Sequence, residues 1–146
     1  MTRWRKWLVG AVLCIAFGAS RLAAQDHMVC PEFDPTTQDT WAEIVAWLRS
    51  HPTCDDGETS ETLSWHVTHK LAVSWKSLSE LARLTRHEPT VRSRVVRHVG
   101  GDADVKDLRR VKRNARLSCP AAQRSICAKI LEEIRQHEIE ASELQR

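Results

Sequence analysis

The feature that most constrains the fold of this chain is the spacing of its apolar residues, which follows the period of an α-helix in every long segment. The clearest stripe runs through residues 63–82, with apolar residues mostly three or four apart. Such intervals place side chains on one face of a helix, whereas a half-buried strand would alternate at every second residue. No segment shows that alternation, and the sequence contains no internal repeat or low-complexity tract. The sequence therefore predicts an all-α protein.

Capping and turn residues delimit the first two predicted helices. Thr40 followed by Glu43 matches a capping box, and Pro52 lies just beyond the end of the first helix. The cluster at 59–62 caps a long second helix, which must end before Pro89 because proline lacks the amide hydrogen that a helix interior needs. The inward residues are Trp41, Ile44, Val45 and Leu48 on the first helix, and Leu63, Val67, Leu71, Trp75, Leu78, Leu81 and Ala82 on the second.

Three further helices complete the prediction. Pro89 suits the first turn of a third helix, which Gly100 and Gly101 end because glycine accepts positive φ. Asp102 or Asp104 caps a fourth, and a fifth begins at Pro120 or later. About five short to medium helices with loops of a few residues predict a small single-domain bundle or orthogonal array. The predicted inward residues are Val91, Val95, Val99, Val105, Leu108, Val111, Ala115, Ile126, Ile130, Ile134, Ala141 and Leu144.

The first 24 residues have the order of a secretory signal peptide. Three basic residues precede an apolar run at 7–17, and mostly small residues follow up to Ala24. An apolar run of about 11 residues is shorter than the roughly 20 that span a bilayer, which argues against a permanent anchor. The sequence therefore predicts cleavage before Gln25, a helical domain at 25–146, and a secreted or periplasmic location.

Four cysteines follow the predicted cleavage site, and an even number in an exported chain favours two disulfides over free thiols. No C-x-x-C pair is present to hold zinc. Sequence proximity pairs Cys30 with Cys54 and Cys119 with Cys127. The second pair requires a turn at 120–123, because a helix starting there would hold the cysteines more than about 7 Å apart. Pairs that cross the domain are the alternative.

Charge is unevenly distributed along the chain. Residues 26–61 contain nine acids and one base, whereas residues 62–131 contain fifteen bases and five acids. Signal cleavage would change the formal charge from +3 to −1, because it removes four basic residues and no acid. Two interpretations remain open: the acidic arm covers the basic middle, or a basic face stays exposed.

The basic residues concentrate in a ridge between Arg92 and Arg116, spread over the predicted third and fourth helices. Its members are Arg92, Arg94, Arg97, His98, Lys106, Arg109, Arg110, Lys112, Arg113 and Arg116. Arg109, Arg113 and Arg116 follow i, i+4, i+7 spacing on the fourth helix and could hold phosphate groups. Nucleic acid is an unfavoured ligand, because no aromatic residue follows Trp75 to stack on bases. An acidic protein partner, or simple solvation of the ridge, fits at least as well.

Two tryptophans lie off the predicted inward stripes. Trp47 and Trp65 are candidate anchors for a protein partner, since large aromatics dominate many binding interfaces. The alternative is that a neighbouring element covers them.

Catalytic and metal-binding patterns are weak. His66 and His69 lie three apart but opposite the apolar stripe, so we expect them to be solvated, and no carboxylate stands at matching spacing. Glu133 and His137 are four apart, but His137 falls on the apolar stripe. No serine lies in a G-x-S-x-G elbow. We therefore predict no enzyme, no cofactor and no metal.

The leading functional prediction is a small exported protein that acts as a non-enzymatic protein-binding module of the periplasm or extracellular space. Its partner would be another exported protein, with no stable membrane span after signal cleavage. The alternative is a polyanion or anionic membrane-surface binder that uses the Arg92 to Arg116 ridge.

Overall fold

The computed structural model describes residues 30–101 and 103–146, which are folded into six α-helices without a β-strand in that part of the chain. The predicted signal peptide at 1–24 lies outside the described residues. The all-α prediction is confirmed. The helices are α1 (Trp41–Ser50), α2 (Gly57–Val73), α3 (Leu78–Leu84), α4 (Pro89–Arg97), α5 (Val105–Leu117) and α6 (Arg124–Leu144), with short 3₁₀ turns at Trp75–Ser77 and Ala121–Gln123.

Helix α1 begins at the capping box that the sequence indicates. The Glu43 amide donates to the Thr40 hydroxyl at 3.2 Å, and the Thr40 amide donates to the Glu43 carboxylate at 2.8 Å. Two amides that the first turn leaves without intrahelical partners are thereby satisfied. The helix ends at Ser50, His51 is its C-cap, and Pro52 lies just beyond this end as predicted.

The predicted long second helix is two helices, so the expectation of a single continuous segment is wrong. It begins at Gly57, before the threonine cluster, and breaks at Ser74, whose backbone leaves the helical region. The Ser77 hydroxyl donates to the Ser74 carbonyl at 2.6 Å and accepts from Trp41 Nε1 at 2.8 Å. Serine side chains that bond to nearby backbone compete with helical hydrogen bonds. The break also lets α3 pack against α1.

Two glycines turn the chain after α4. Gly100 and Gly101 have φ of 125° and 53°, which confirms that this helix end needs positive φ. The Gly100 amide donates to the Thr68 hydroxyl at 3.1 Å, and a Cβ at this position would overlap the His137 ring. Glycine is therefore required at residue 100 for both its conformation and its closeness to α6.

The two disulfides join cysteines that are close in sequence. Cys30 pairs with Cys54 at a Cα separation of 5.3 Å, and Cys119 pairs with Cys127 at 6.3 Å. The second pair is possible because residues 121–123 form a 3₁₀ turn before α6 starts. That disulfide closes the tip of an antiparallel α5–α6 hairpin.

The helices enclose one core, to which every described helix contributes. Three residues predicted to face inward are exposed: Val105 is 59% exposed, Leu144 is 90% exposed, and Ala141 is also on the surface. Val105 is the first residue of α5, more than one turn before the buried Val111, and the last turns of α6 are exposed from residue 138 onward. Within the described residues, no helix has the length and apolar character that crossing a membrane requires.

Candidate anion-binding face and buried charge network

In the α4 part of the predicted basic ridge, Arg94 is buried and bonds groups inside the protein. Arg94 is only 7% exposed, and its Nε donates to the Asp55 carboxylate at 2.8 Å. Its two terminal nitrogens donate to the carbonyls of Leu48 at 2.5 Å and His51 at 2.8 Å.

The Leu48 carbonyl lies in the last turn of α1, where Pro52 has no amide hydrogen to offer it, and the guanidinium supplies that donor. The His51 carbonyl also accepts from the Cys54 amide at 3.3 Å, so there Arg94 is a second donor. The positive charge complements the negative end of the helix dipole. Arg94 is thus a structural residue.

Asp55 joins this arginine to a buried histidine. The Asp55 carboxylate lies 3.6 Å from His98 Nε2 and 3.5 Å from Arg97 Nη2. Burial by itself would raise the pKa of Asp55, but the bonds and charge of Arg94 hold that pKa below its ordinary value. Burial lowers the pKa of His98 from 6.5 to about 4, which keeps the ring neutral.

Ser64, His98 and Asp55 are the residue types of a hydrolase triad, but their geometry differs from one. Ser64 Oγ lies 3.3 Å from His98 Nδ1, whereas the histidine–carboxylate distance of 3.6 Å exceeds a hydrogen bond. The carboxylate is held by Arg94 instead of orienting the imidazole, and Ser64 is buried beneath Gly101. A triad serine must reach a substrate carbonyl. We therefore interpret these three residues as a structural link that joins the α1–α2 loop, α2 and the end of α4.

We expect the buried His98 to make this protein less stable in mild acid. Because the pKa is lowered in the folded state, the unfolded chain binds the proton first as pH falls from about 6.5 towards 4. Stability conferred by the neutral ring is thus present above pH 6.5 and lost below it, by about 2 kcal/mol between pH 7 and pH 5. Urea unfolding at both pH values measures this loss.

The variant His98→Gln is the control, because it keeps a neutral polar side chain that does not titrate. It should reduce the difference between the two pH values. A smaller dependence should remain, since burial also lowers the pKa of His66. An equal pH dependence in the variant and the native protein would contradict the role assigned to His98.

The α5 part of the ridge is open. Opposite the buried Val111 and Ala115, the outer face of α5 carries five exposed cations that form no ion pair with any described residue. The only other cation of this helix, Lys112, is half-buried and bonds the Glu138 carboxylate at 2.6 Å. We call the open surface the α5 basic face: Lys106, Arg109, Arg110, Arg113 and Arg116.

The acidic arm, residues 26–61 of the sequence, forms its described ion pairs with residues outside the α5 basic face. Asp55 is held by Arg94, and Asp39 lies 3.3 Å from both Lys70 and His66. No carboxylate of residues 30–61 pairs with the α5 basic face in the described structure. Each interpretation of the charge pattern therefore applies to one part of the ridge. Asp55 of the arm pairs with Arg94 and Arg97 of α4, whereas the α5 basic face has no carboxylate partner among the described residues.

The two candidate tryptophan anchors have different environments. Trp47 is 5% exposed and contacts the Phe33 ring edge-on at 5.6 Å between centroids, so it belongs to the core and is not available as an anchor. The segment before α1 covers it. Trp65 is 46% exposed and stacks on His69 at 5.3 Å. Of these two tryptophans, only Trp65 remains a candidate anchor for a protein partner.

Of the two histidines predicted to be solvated, His66 is buried and His69 is partly exposed. His66 is buried beside Phe33, which corrects the expectation that it faces solvent. His69 Nδ1 lies 2.7 Å from the Asp107 carboxylate and so links α2 to α5. His137 is half-buried against Gly100. Among the described residues, no three side chains of the metal-binding types come together.

No family model matches this chain, and neither a curated protein nor a solved structure matches it. Function is therefore inferred from the side chains and their surroundings.

Sequence reasoning placed Arg94 and His98 on a single basic surface and missed their burial. A signal was present, because both are three or four residues from the inward Val91 and Val95 and so share the inward face of α4. Nothing in the sequence connected that face to Asp55, which is 39 residues away from Arg94.

Proposed function

We propose that this protein is a non-enzymatic binding module, secreted or periplasmic, which binds an anionic polymer or surface through the α5 basic face. The observation that carries the proposal is the absence of ion pairs between these five exposed cations and any carboxylate of the described chain. Like charges on successive turns repel one another, which costs a folded helix stability. A polyanionic ligand would relieve this repulsion and release its own counterions on binding.

The three arginines at i, i+4, i+7 supply the test of this proposal. Replacing Arg109, Arg113 and Arg116 together by Gln should weaken heparin binding at low salt by at least about 30-fold. The slope of log K against log salt should become shallower by about 2 to 3, since three charge contacts are lost. Isothermal titration at several salt concentrations measures both quantities.

A matched control removes three exposed cations elsewhere. Lys76, Arg83 and Lys129 are exposed and form no ion pair within the described residues, so their replacement by Gln changes the net charge equally. Heparin affinity should stay within about twofold of the native value in this control. Equal weakening in the two triple variants would show that only net charge matters and would contradict a specific face.

A second candidate function is protein binding through Trp65. The supporting observation is that its half-exposed ring is held in place by stacking on His69, which Asp107 fixes. A rigid aromatic loses little entropy when a partner covers it. In that case, Trp65→Ala would weaken binding to the partner more than any single α5 arginine, and the salt dependence would be shallow.

A further inference from the structure

The end of the α5 basic face carries an exposed apolar residue. Leu117 closes α5 with 78% of its surface exposed and lies between Arg116 and the Cys119–Cys127 disulfide. A single exposed leucine is ordinary on a protein surface. Its surroundings are more specific, because three shallow depressions of the surface meet at Arg116, two of which also border Leu117.

One of these depressions combines apolar walls with positive charge. It is a groove of about 340 Å³ between the end of α5 and the start of α6. Ala128, Leu131 and the disulfide form apolar parts of its lining, and Arg116 and Arg124 bring two guanidinium groups to it. Neither arginine forms an ion pair with a described carboxylate. We call this region the hairpin tip: Arg116, Leu117, Arg124, Ala128 and Leu131.

The hairpin tip presents both positive charge and an exposed leucine, so it favours an anionic ligand that also offers an apolar region. A polysaccharide or nucleic acid chain offers charge along its length but nothing apolar for Leu117 to enter, and no aromatic residue after Trp75 could stack on bases. The interface of an anionic bilayer offers both, since its phosphates lie just above the acyl chains. Arginine also keeps its charged head at that level while its stem lies in the apolar region.

We propose that the hairpin tip docks on an anionic lipid bilayer, with Leu117 entering the interface and Arg116 and Arg124 contacting headgroup phosphates. This inference rests on the proposed function and narrows its ligand to a lipid surface. Helix α5 would lie along the membrane with Val111 and Ala115 facing the protein core. The Cys119–Cys127 disulfide holds the two helix ends together, so little ordering is needed on binding.

The experiment uses the chain from Gln25 onward, which contains every described residue and lacks the apolar run at 7–17 that would itself bind lipid. Its binding is measured by cosedimentation with vesicles of phosphatidylcholine containing 30% phosphatidylglycerol, and by retention on heparin. Leu117→Ser should weaken vesicle binding about fivefold, because the apolar contact is lost. The same variant should leave heparin retention unchanged. Arg116→Gln and Arg124→Gln should each weaken vesicle binding about fivefold.

Matched controls come from other parts of the surface. Leu144→Ser alters a leucine that is 90% exposed at the far end of α6, and Arg83→Gln removes an exposed arginine of α3. Both should bind the vesicles as the native chain does. Circular dichroism verifies that each variant is folded.

The outcomes separate the two proposals. Heparin binding without vesicle binding would overturn the lipid inference and leave the proposed function standing, whereas binding to neither would overturn both. Vesicle binding that Leu117→Ser does not weaken, or that Leu144→Ser weakens equally, would reduce the interaction to general electrostatic adsorption and also overturn the inference.

Discussion

Replacing Arg94 by methionine should lower the free energy of unfolding by about 3 to 5 kcal/mol, because it removes one partner of a buried ion pair. Methionine fills a similar volume, so the change chiefly removes hydrogen bonds and charge. The Asp55 carboxylate would lose its main partner, the buried Leu48 carbonyl would lose its donor, and the His51 carbonyl would lose the shorter of its two hydrogen bonds. Equilibrium unfolding in guanidinium chloride at pH 7 measures this loss.

Arg97 provides the control for Arg94, since it belongs to the same helix and also approaches Asp55. Its contact is longer, at 3.5 Å, and its side chain is exposed. Arg97→Gln should therefore cost less than about 1 kcal/mol, as exposed ion pairs contribute little. Adding Asp55→Asn to Arg94→Met should recover part of the loss, because an uncompensated charge is no longer buried. Equal effects of Arg94→Met and Arg97→Gln would contradict the buried network.

Removing the Cys30–Cys54 disulfide should cost more stability than removing Cys119–Cys127. The two bridges span sequence separations of 24 and 8 residues. On the chain-entropy model, the longer loop corresponds to about 3.5 kcal/mol and the shorter to about 2.6 kcal/mol. The longer bridge also fixes the segment that carries Phe33 over Trp47, so its loss should loosen the packing of α1.

The paired variants Cys30→Ala with Cys54→Ala and Cys119→Ala with Cys127→Ala test this order by chemical unfolding under matched conditions. Alanine is used because Cys54 and Cys127 are buried, where serine would bring a polar group that needs a partner. A larger loss of stability in the second variant would contradict the loop-length argument.

The helix boundaries show which structural features can be predicted from residues that are close in sequence. The Thr40–Glu43 capping box and the Gly100–Gly101 turn were predictable because their hydrogen bonds and dihedral angles involve neighbours in sequence. The break at Ser74 was not, since apolar spacing continues across it and Ser77 meets Trp41 only after α1 has packed nearby. A periodic stripe indicates which residues face inward but not whether the helix is continuous.

In the candidate site, too, some features were predictable from the sequence and others depended on tertiary packing. The i, i+4, i+7 arginines of α5 form a face by helical geometry alone, and the structure leaves that face exposed. Trp47 was a candidate anchor because it lies off the stripe of α1, with coverage by another element as the alternative, and the Phe33 segment does cover it. Helical angle predicts the direction of a side chain, whereas burial depends on which other element lies in that direction.

The all-α class, the starts of α1, α4 and α5 and the basic outer face of α5 were predictable from the sequence, because they follow from the period of the helix and from contacts within a few residues. Only the packing of the helices decided which partners the basic residues reach. Apolar spacing places Arg94 near the inward face of α4 and Arg113 on the outer face of α5. It does not show that Arg94 meets the Asp55 carboxylate and the buried Leu48 carbonyl at the end of α1. Pairing between distant charges depends on how the helices pack, and local spacing carries no information about it.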